Sequence, residues 1–535
     1  MQSCSRQPAL NTQVSPFRQS TLAPGLLRLN PHLDCSIPFK HAQRMDCSMP
    51  LKHARKALQG AAASHNTATV SASRAPAQQE CCYFITCHPG LEEAVEMELT
   101  KIGIKRMRRG RAGVKFKGSL LDGYRVVLWT RVGIRVLMLL AEEMLDPGLS
   151  GGDGLYDLVR SCGVDWAELI PPGSTFSIEP RLWSCTNITS TRLLWQRVKD
   201  AVRDDVSDAR NERLQPPLPG SLADVPLYVA AFEDCISIYR DLSGLSLHRR
   251  GYREKMHKSA LNESAAAGIL TIAGWGSLCS QEGVTLVDPM CGSATFLLEA
   301  AHIAHNRAPG LSRPQDSWPL RSWPDFDASA WRLAREEAQD LATPKWNGAL
   351  LGNDAHAGAI ALAKQDAQAA GLPGSCLHLH HGSCESWQLP CGPPSLVVTN
   401  PPWGLRLGEM TGTAAGRPGS RRPGRPAEGH GRRDAESFWG AREDNDRDIQ
   451  AMSASGRSDG LEDSWRALGT FLKSQCGGTD AYILSGNKQA FNHLWMKPSQ
   501  KWKASIGGVD VQLHCYHVLP PKQKPAREAP LTKFG

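Results

Sequence analysis

No run in the 535-residue sequence approaches the ~18 consecutive apolar residues of a membrane-spanning helix. Sixteen cysteines are present, yet no CxxC pair occurs, and Cys81, Cys82 and Cys87 have no second ligand pair at zinc-site spacing. A zinc finger or ribbon is thereby excluded, and reduced thiols in an intracellular compartment are expected. The seventeen histidines form no HExxH or other paired spacing, so no metal is assigned. Acids are scarce at the start: residues 1–80 hold Asp34, Asp46 and Glu80 against nine Lys and Arg. An acid-poor leader with Arg and Ser and no central apolar block is no secretory signal. It reads as a disordered organelle transit peptide, for the chloroplast or alternatively the mitochondrion. Within it Asp34-Cys-Ser-Ile-Pro-Phe-Lys-His-Ala is echoed from Asp46, a duplicated tract rather than a metal site. Branched aliphatics are scarce in residues 409–460, where nine Gly and nine Arg accompany Ile449 alone. Such a stretch cannot bury a core and is expected to be a disordered insertion.

The remainder can build cores. Its length suits two or three domains, and the net charge of +8 leans toward a polyanionic partner. Order is expected from Tyr83. Leu91, Val95 and Leu99 mark a helix over 91–102, and Val114-Lys-Phe-Lys alternates as a strand. Tyr124–Ala141 reads as an apolar helix, and Arg192–Asp208 as another. Residues 81–240 thus form one or two small α+β units, and 241–260 a polar, basic connector. From Leu261 to Leu519 short apolar strands alternate with helices. They are Thr285–Asp288, Leu350–Asp354, Leu377–His380 and Leu396–Thr399, and they predict a parallel, doubly wound α/β sheet. Residues 520–535 are a tail.

Three strings carry chemistry. Asp288-Pro-Met-Cys-Gly-Ser-Ala-Thr-Phe296 ends a strand in an acid, turns on small residues and opens a helix. Ligands bind outside the carboxyl ends of strands in such sheets. Pro289, Cys291, Gly292, Ser293 and Thr295 would let the backbone approach a ligand, and Asp288 would meet the cationic amino group of a methionine moiety. Asn400-Pro-Pro-Trp-Gly404 follows the strand Leu396–Thr399. Pro401 and Pro402 fix the backbone and remove donors, leaving the Asn400 side-chain oxygen and the Pro401 carbonyl to accept from an exocyclic NH2. Trp403 offers a face on which a base stacks. Asp354, at a strand end, suits the two ribose hydroxyls of an adenosyl group.

With these motifs the chain resembles the THUMP-domain RNA methyltransferases, and among them the bacterial guanine-N2 methyltransferases of large-subunit ribosomal RNA. Further strings support this: Pro89-Gly-Leu-Glu-Glu93, Lys199-Asp-Ala-Val202, Asp241-Leu-Ser-Gly-Leu-Ser-Leu-His-Arg-Arg-Gly-Tyr-Arg253 and Ser485-Gly-Asn-Lys-Gln489. The likeness runs from about Tyr83 to Leu519. It implies a Rossmann-like methyltransferase domain using S-adenosylmethionine, preceded by a ferredoxin-like and THUMP RNA-binding region. Ribosomal RNA is the implied partner, with transfer RNA the alternative; no membrane or metal is implied, and a monomer is expected. There are departures. Ala294 stands where the motif usually has Gly, Trp403 replaces Tyr or Phe, and Ser383 occupies the place of an acid near adenine.

Weaker features stay open. Arg249, Arg250 and Arg253 would grip phosphate or merely line a solvated linker. Lys199 would touch RNA or sit on a helix surface. Glu263, opening an Ala-rich helix, would face the cofactor or be an ordinary first-turn acid. A DNA adenine-N6 methylase or a protein glutamine methyltransferase would use the same Asp288 and Asn400 motifs, but the long front half argues against both. A non-catalytic RNA-binding ribosome-assembly protein is the third alternative, favoured by Ala294 and Ser383.

Overall fold

The computed structural model describes residues 80–253, 260–372, 374–404 and 458–520. The expected leader before Glu80, the insertion as far as 457 and the tail beyond 520 lie outside the described residues.

The front half starts with β1 (Cys81–Thr86), α1 (Glu92–Ile102), β2 (Arg106–Gly110), β3 (Gly113–Gly118), α2 (Leu120–Trp129) and β4 (Arg135–Met144). Alternation in β1 sends Tyr83 and Ile85 into the core. Glu92 and Glu93 lie in the first turn of α1, and Gly103 ends it in the left-handed conformation at φ 94°. Ser119 and Asp122 cap α2 reciprocally. The pairing order β4-β1-β3-β2 is that of a ferredoxin-like βαββαβ unit. Next come α3 (Gly151–Ser161), α4 (Trp166–Leu169), β5 (Phe176–Trp183), α5 (Thr191–Arg210), β6 (Val225–Phe232) and β7 (Cys235–Asp241). β7 pairs with β4, so the two small units share one seven-stranded sheet, β2-β3-β1-β4-β7-β6-β5.

One expectation is corrected here: Tyr124–Ala141 is not a single helix. The chain leaves α2 at Thr130, and Gly133 N donates to Thr130 Oγ1 at 2.9 Å. A Cβ on Gly133 would stand 2.6 Å from that oxygen and 2.8 Å from Ile85. The apolar run that follows is the buried centre of β4, which periodicity cannot tell from a helix.

The rear half comprises α6 (Glu263–Ile272), α7 (Trp275–Leu278), β8 (Thr285–Asp288), α8 (Thr295–Ala304), α9 (Ala328–Asp340), β9 (Ala349–Asp354), α10 (Ala357–Ala369), β10 (Leu377–His381) and β11 (Leu396–Thr399). It closes with α11 (Ser458–Gln475), β12 (Asp480–Ser485), β13 (Gln500–Ile506) and β14 (Val509–His517). The sheet runs β10-β9-β8-β11-β12-β14-β13. Five strands are parallel, as expected, but β14 runs antiparallel to both its neighbours, β12 and β13, so the sheet is mixed. Counted from β8 the order is 3-2-1-4-5-7-6, and it reverses between β8 and β11. Such a switch point opens a crevice at the carboxyl edge.

The halves interlock. Ser505 N of β13 donates to Pro89 O at 2.9 Å, and a Cβ on Gly90 would lie 2.2 Å from Lys503 O, so the Pro89-Gly90 turn admits no side chain there. Arg125 grips Glu337 of α9 with two bonds of 2.7 and 2.6 Å. Arg131 Nη2 donates to Arg307 O at 2.8 Å and to His302 O at 3.2 Å. Trp318, Trp323 and Trp331, all from the rear half's sequence, are buried in the front half's core. Each such aromatic contributes roughly 4–6 kcal/mol of gross burial.

Candidate active site

Asp288 ends β8 fully buried. Its Oδ1 accepts from Thr399 Oγ1 at 2.7 Å and from Met290 N at 3.2 Å. Burial pushes its carboxyl up from 3.8 to about 7; the bonds from Thr399 and Met290 oppose the rise, and the charge of Asp354 adds to it. The turn that follows is tied to β9: Cys291 N donates to Asn353 O at 2.8 Å, and Gly292 N to Asp354 Oδ2 at 2.8 Å. Gly292 has φ 54°, and nothing lies within 4 Å of where its Cβ would stand. That open floor beside a buried acid fits a ligand approaching the backbone. Ala294 caps α8 in the left-handed region at φ 60°, wholly buried, so the residue that departs from the motif occupies the strained position. Pro289 is buried, while Ser293 lies half-buried in the same turn.

The other Asp354 oxygen accepts from His356 N at 2.9 Å. This carboxylate therefore shapes the loop before α10 as well as standing at the crevice. Its neighbour Asn353 was not singled out by the sequence. Buried, it donates from Nδ2 to Pro289 O at 3.1 Å and to Gly382 O at 3.0 Å, and its Oδ1 lies 2.7 Å from His380 Nδ1. It thus fastens the loops after β8, β9 and β10 together. A polar residue inside an apolar strand was the available signal. Ser383 is exposed just after Gly382, which donates to Asp354 O at 3.1 Å. Ser383 Oγ accepts from Glu385 N at 3.3 Å.

Across the switch point β11 delivers Asn400. Its oxygen is not bare, as the sequence suggested: Oδ1 accepts from Trp403 Nε1 at 2.9 Å, leaving one lone-pair direction for a ligand. Trp465 Nε1 donates to Pro402 O at 2.8 Å, and Asn487 Nδ2 to Trp403 O at 3.0 Å. Pro401 is buried. A Cβ on Gly486 would meet the Trp403 ring at 2.7 Å, so Ser485-Gly-Asn487 is a seat for Trp403. Thr399, which also escaped the sequence reading, links this loop to Asp288 by the 2.7 Å bond.

Glu263 opens α6, nearly fully buried. Its Oε1 accepts from Arg253 Nη1 at 3.0 Å, while Oε2 has no partner among the described residues. Burial raises its carboxyl, against the pull of Arg253. An orphaned buried acceptor in that first turn fits a ligand at the crevice.

The phosphate-gripping expectation for Arg250 and Arg253 is corrected. Arg250 is buried, pairs with Glu299 at 3.3 Å and donates to Leu247 O and Arg131 O. The Arg253 side chain is 5% exposed and surrounded by Glu263, Asp366, Ser293 and Thr295. Both bind protein rather than face solvent. Arg249 is exposed. Lys199 lies over the ring of half-exposed Trp195, 4.5 Å from its centroid. Among the described residues no acid, His and Cys cluster could hold a metal, and no helix is long and apolar enough to cross a membrane.

A sheet of this order, acids closing its first two strands and Asn-Pro-Pro-Trp after the fourth define a Rossmann-like methyltransferase domain. Its front sheet opens with a ferredoxin-like unit. Comparison with known families shows what the chain is similar to. Residues 250–414 match the RMKL-like methyltransferase domain, and residues 83–137 the RlmL ferredoxin-like domain. It is 34% identical over 336 residues to the ribosomal RNA large subunit methyltransferase K/L of Saccharophagus degradans, covering 61% of this chain and 43% of that one. It is 31% identical over 439 residues to the protein of the same name in Syntrophotalea carbinolica, covering 81% and 53%. The chain thus spans about half the length of the curated relatives it matches. The fold is shared with the solved structure of SMU.472, described as a methyltransferase and complexed with SAH. The TM-score is 0.63 at 20% identity, covering 83% of this chain and 100% of that one.

Proposed function

We propose that the chain is an S-adenosylmethionine-dependent RNA methyltransferase acting on the exocyclic amine of a guanine in ribosomal RNA, within an organelle. One observation carries the reading. The bond from Thr399 to Asp288 fastens the Asn400 loop to the Gly292 loop at the switch point of the sheet, so acceptor and donor sites share one crevice. The cofactor supplies an electrophilic methyl group on a sulfonium. Asp288 receives its cationic amino group, Gly292 leaves room for its backbone approach, and Asp354 accepts from its ribose. Asn400 aims the guanine amine, whose delocalised lone pair needs orientation more than a strong base, and Trp403 stacks the base. The names of the relatives, the charge of +8 and the Lys199–Trp195 pair support an RNA substrate. The acid-poor residues 1–80 support import, with the chloroplast as destination.

The test is nucleoside mass spectrometry of organelle ribosomal RNA from cells with and without the protein, paired with methylation of that RNA by the purified chain. N2-methylguanosine that disappears with the gene and returns in vitro is expected. N6-methyladenosine as product, or a modification confined to transfer RNA, would overturn the substrate assignment.

A further inference from the structure

Arg253 lies in the connector, and three separate segments converge on its guanidinium. Nε donates to Asp366 of α10 at 3.2 Å, and Nη1 to Glu263 of α6 at 3.0 Å and to Leu261 O at 3.4 Å. Nη2 donates to Ser293 Oγ at 3.2 Å and to Thr295 Oγ1 at 2.5 Å. Those two hydroxyls flank Ala294, the residue held at φ 60°. The Cβ of an alanine in the left-handed region crowds its own backbone carbonyl, so the conformation is strained. Strain of this kind persists only where the surroundings over-determine the backbone. A planar fork that fixes both neighbours of Ala294, and is itself fixed by two acids, is such a surrounding. Lysine cannot reproduce it, because it carries a point charge on a flexible stem.

We infer that Arg253 is a positioning residue: it clamps the donor-binding turn around the strained Ala294, so that donor affinity depends on the connector joining the two halves. The inference rests on the donor site proposed above.

The experiment is calorimetric titration of S-adenosylmethionine, and of its demethylated product, into the full chain. The wild type is compared with Arg253→Lys, Arg253→Met, Ala294→Gly and the two arginine variants combined with Ala294→Gly. Unfolding midpoints are recorded for each. Arg253→Lys keeps a cation beside Glu263 and Asp366 and loses the fork; it is expected to fold and to raise the dissociation constant at least ten-fold. Ala294→Gly alone is expected to change it less than three-fold, since the clamp already holds the turn. In the Lys background the same glycine, free to adopt φ > 0, should recover at least three-fold of the loss. That non-additivity separates a clamp on Ala294 from a general structural role, which would move the unfolding midpoint without coupling to residue 294. If Arg253→Met fails to fold, Arg253→Lys decides. Wild-type affinity in a folded Arg253→Lys, or an equal effect of glycine in both backgrounds, would overturn the inference. A wild type that binds neither ligand would instead overturn the donor site itself.

Discussion

Asp288→Asn separates the two demands placed on the acid that ends β8. The carboxyl is buried, and its protonation midpoint rises from 3.8 to about 7 in the folded protein. Folding therefore favours the protonated form. The charged form carries a cost that is absent below pH 4, grows as pH rises from about 4 to 7, and is constant above about 7. At about 1.4 kcal/mol per pH unit, the full cost is on the order of 4 kcal/mol. Asparagine keeps an oxygen for the bonds from Thr399 and Met290 and cannot ionise. The variant should accordingly be more stable than the wild type by a few kcal/mol at pH 8. The gain should shrink by about 1.4 kcal/mol per unit on acidification from 7 and vanish near pH 4. If Asp288 meets the donor's amino group as proposed, the same change removes its counter-charge, so S-adenosylmethionine affinity should fall at pH 8. Wild-type affinity should itself decline below pH 7, where Asp288 takes up its proton. Denaturant titrations of both proteins at pH 5, 6, 7 and 8, with calorimetry on the same samples, measure both effects. A stability difference that does not change with pH, or a less stable variant at pH 8, would refute the reasoning.

Asn400→Ala should slow single-turnover methylation on the order of 100-fold and leave donor affinity within a few-fold of wild type; an unchanged rate removes Asn400 from the chemistry. Trp403→Ala should weaken RNA binding by roughly 1–3 kcal/mol in a filter-binding assay. Trp403→Phe should restore most of that binding but not the full rate, because phenylalanine has no N–H to steady Asn400. Asp354→Ala, which frees Gly292 N, should raise the donor dissociation constant without unfolding the protein, as calorimetry and circular dichroism would show. A chain beginning at Gln79 should keep the melting temperature and donor affinity of the full chain; a large loss in either would tie residues 1–78 to the domain.

Much of the rear sheet was legible because its strands are short, apolar and closed by acids or turns. Thr285–Asp288 and Leu396–Thr399 fall where hydropathy puts them. The Asp288 loop and Asn400 stand out as candidates because their motifs are local in sequence. What escaped depends on partners distant in sequence. Asn353 looks like any strand residue until its amide is seen to hold two other loops. Arg250 and Arg253 look like a basic patch until Glu299, Glu263 and Asp366 are found beside them; charge in a sequence carries no sign of burial. The helix expected through Ala141 failed because a run of Val, Leu and Met suits both a helix and a central strand.

The three tryptophans that residues 318–331 lend to the front core make the boundary near the connector one of sequence and not of stability. Cutting there would strip the front half of part of its interior and leave the rear half displaying indole rings to water. Neither piece should be expected to behave as a well-folded domain. Exchange of front halves between relatives therefore faces a constraint: the incoming front half must arrive with its own version of 309–340, threaded into the other partner's chain between α8 and β9.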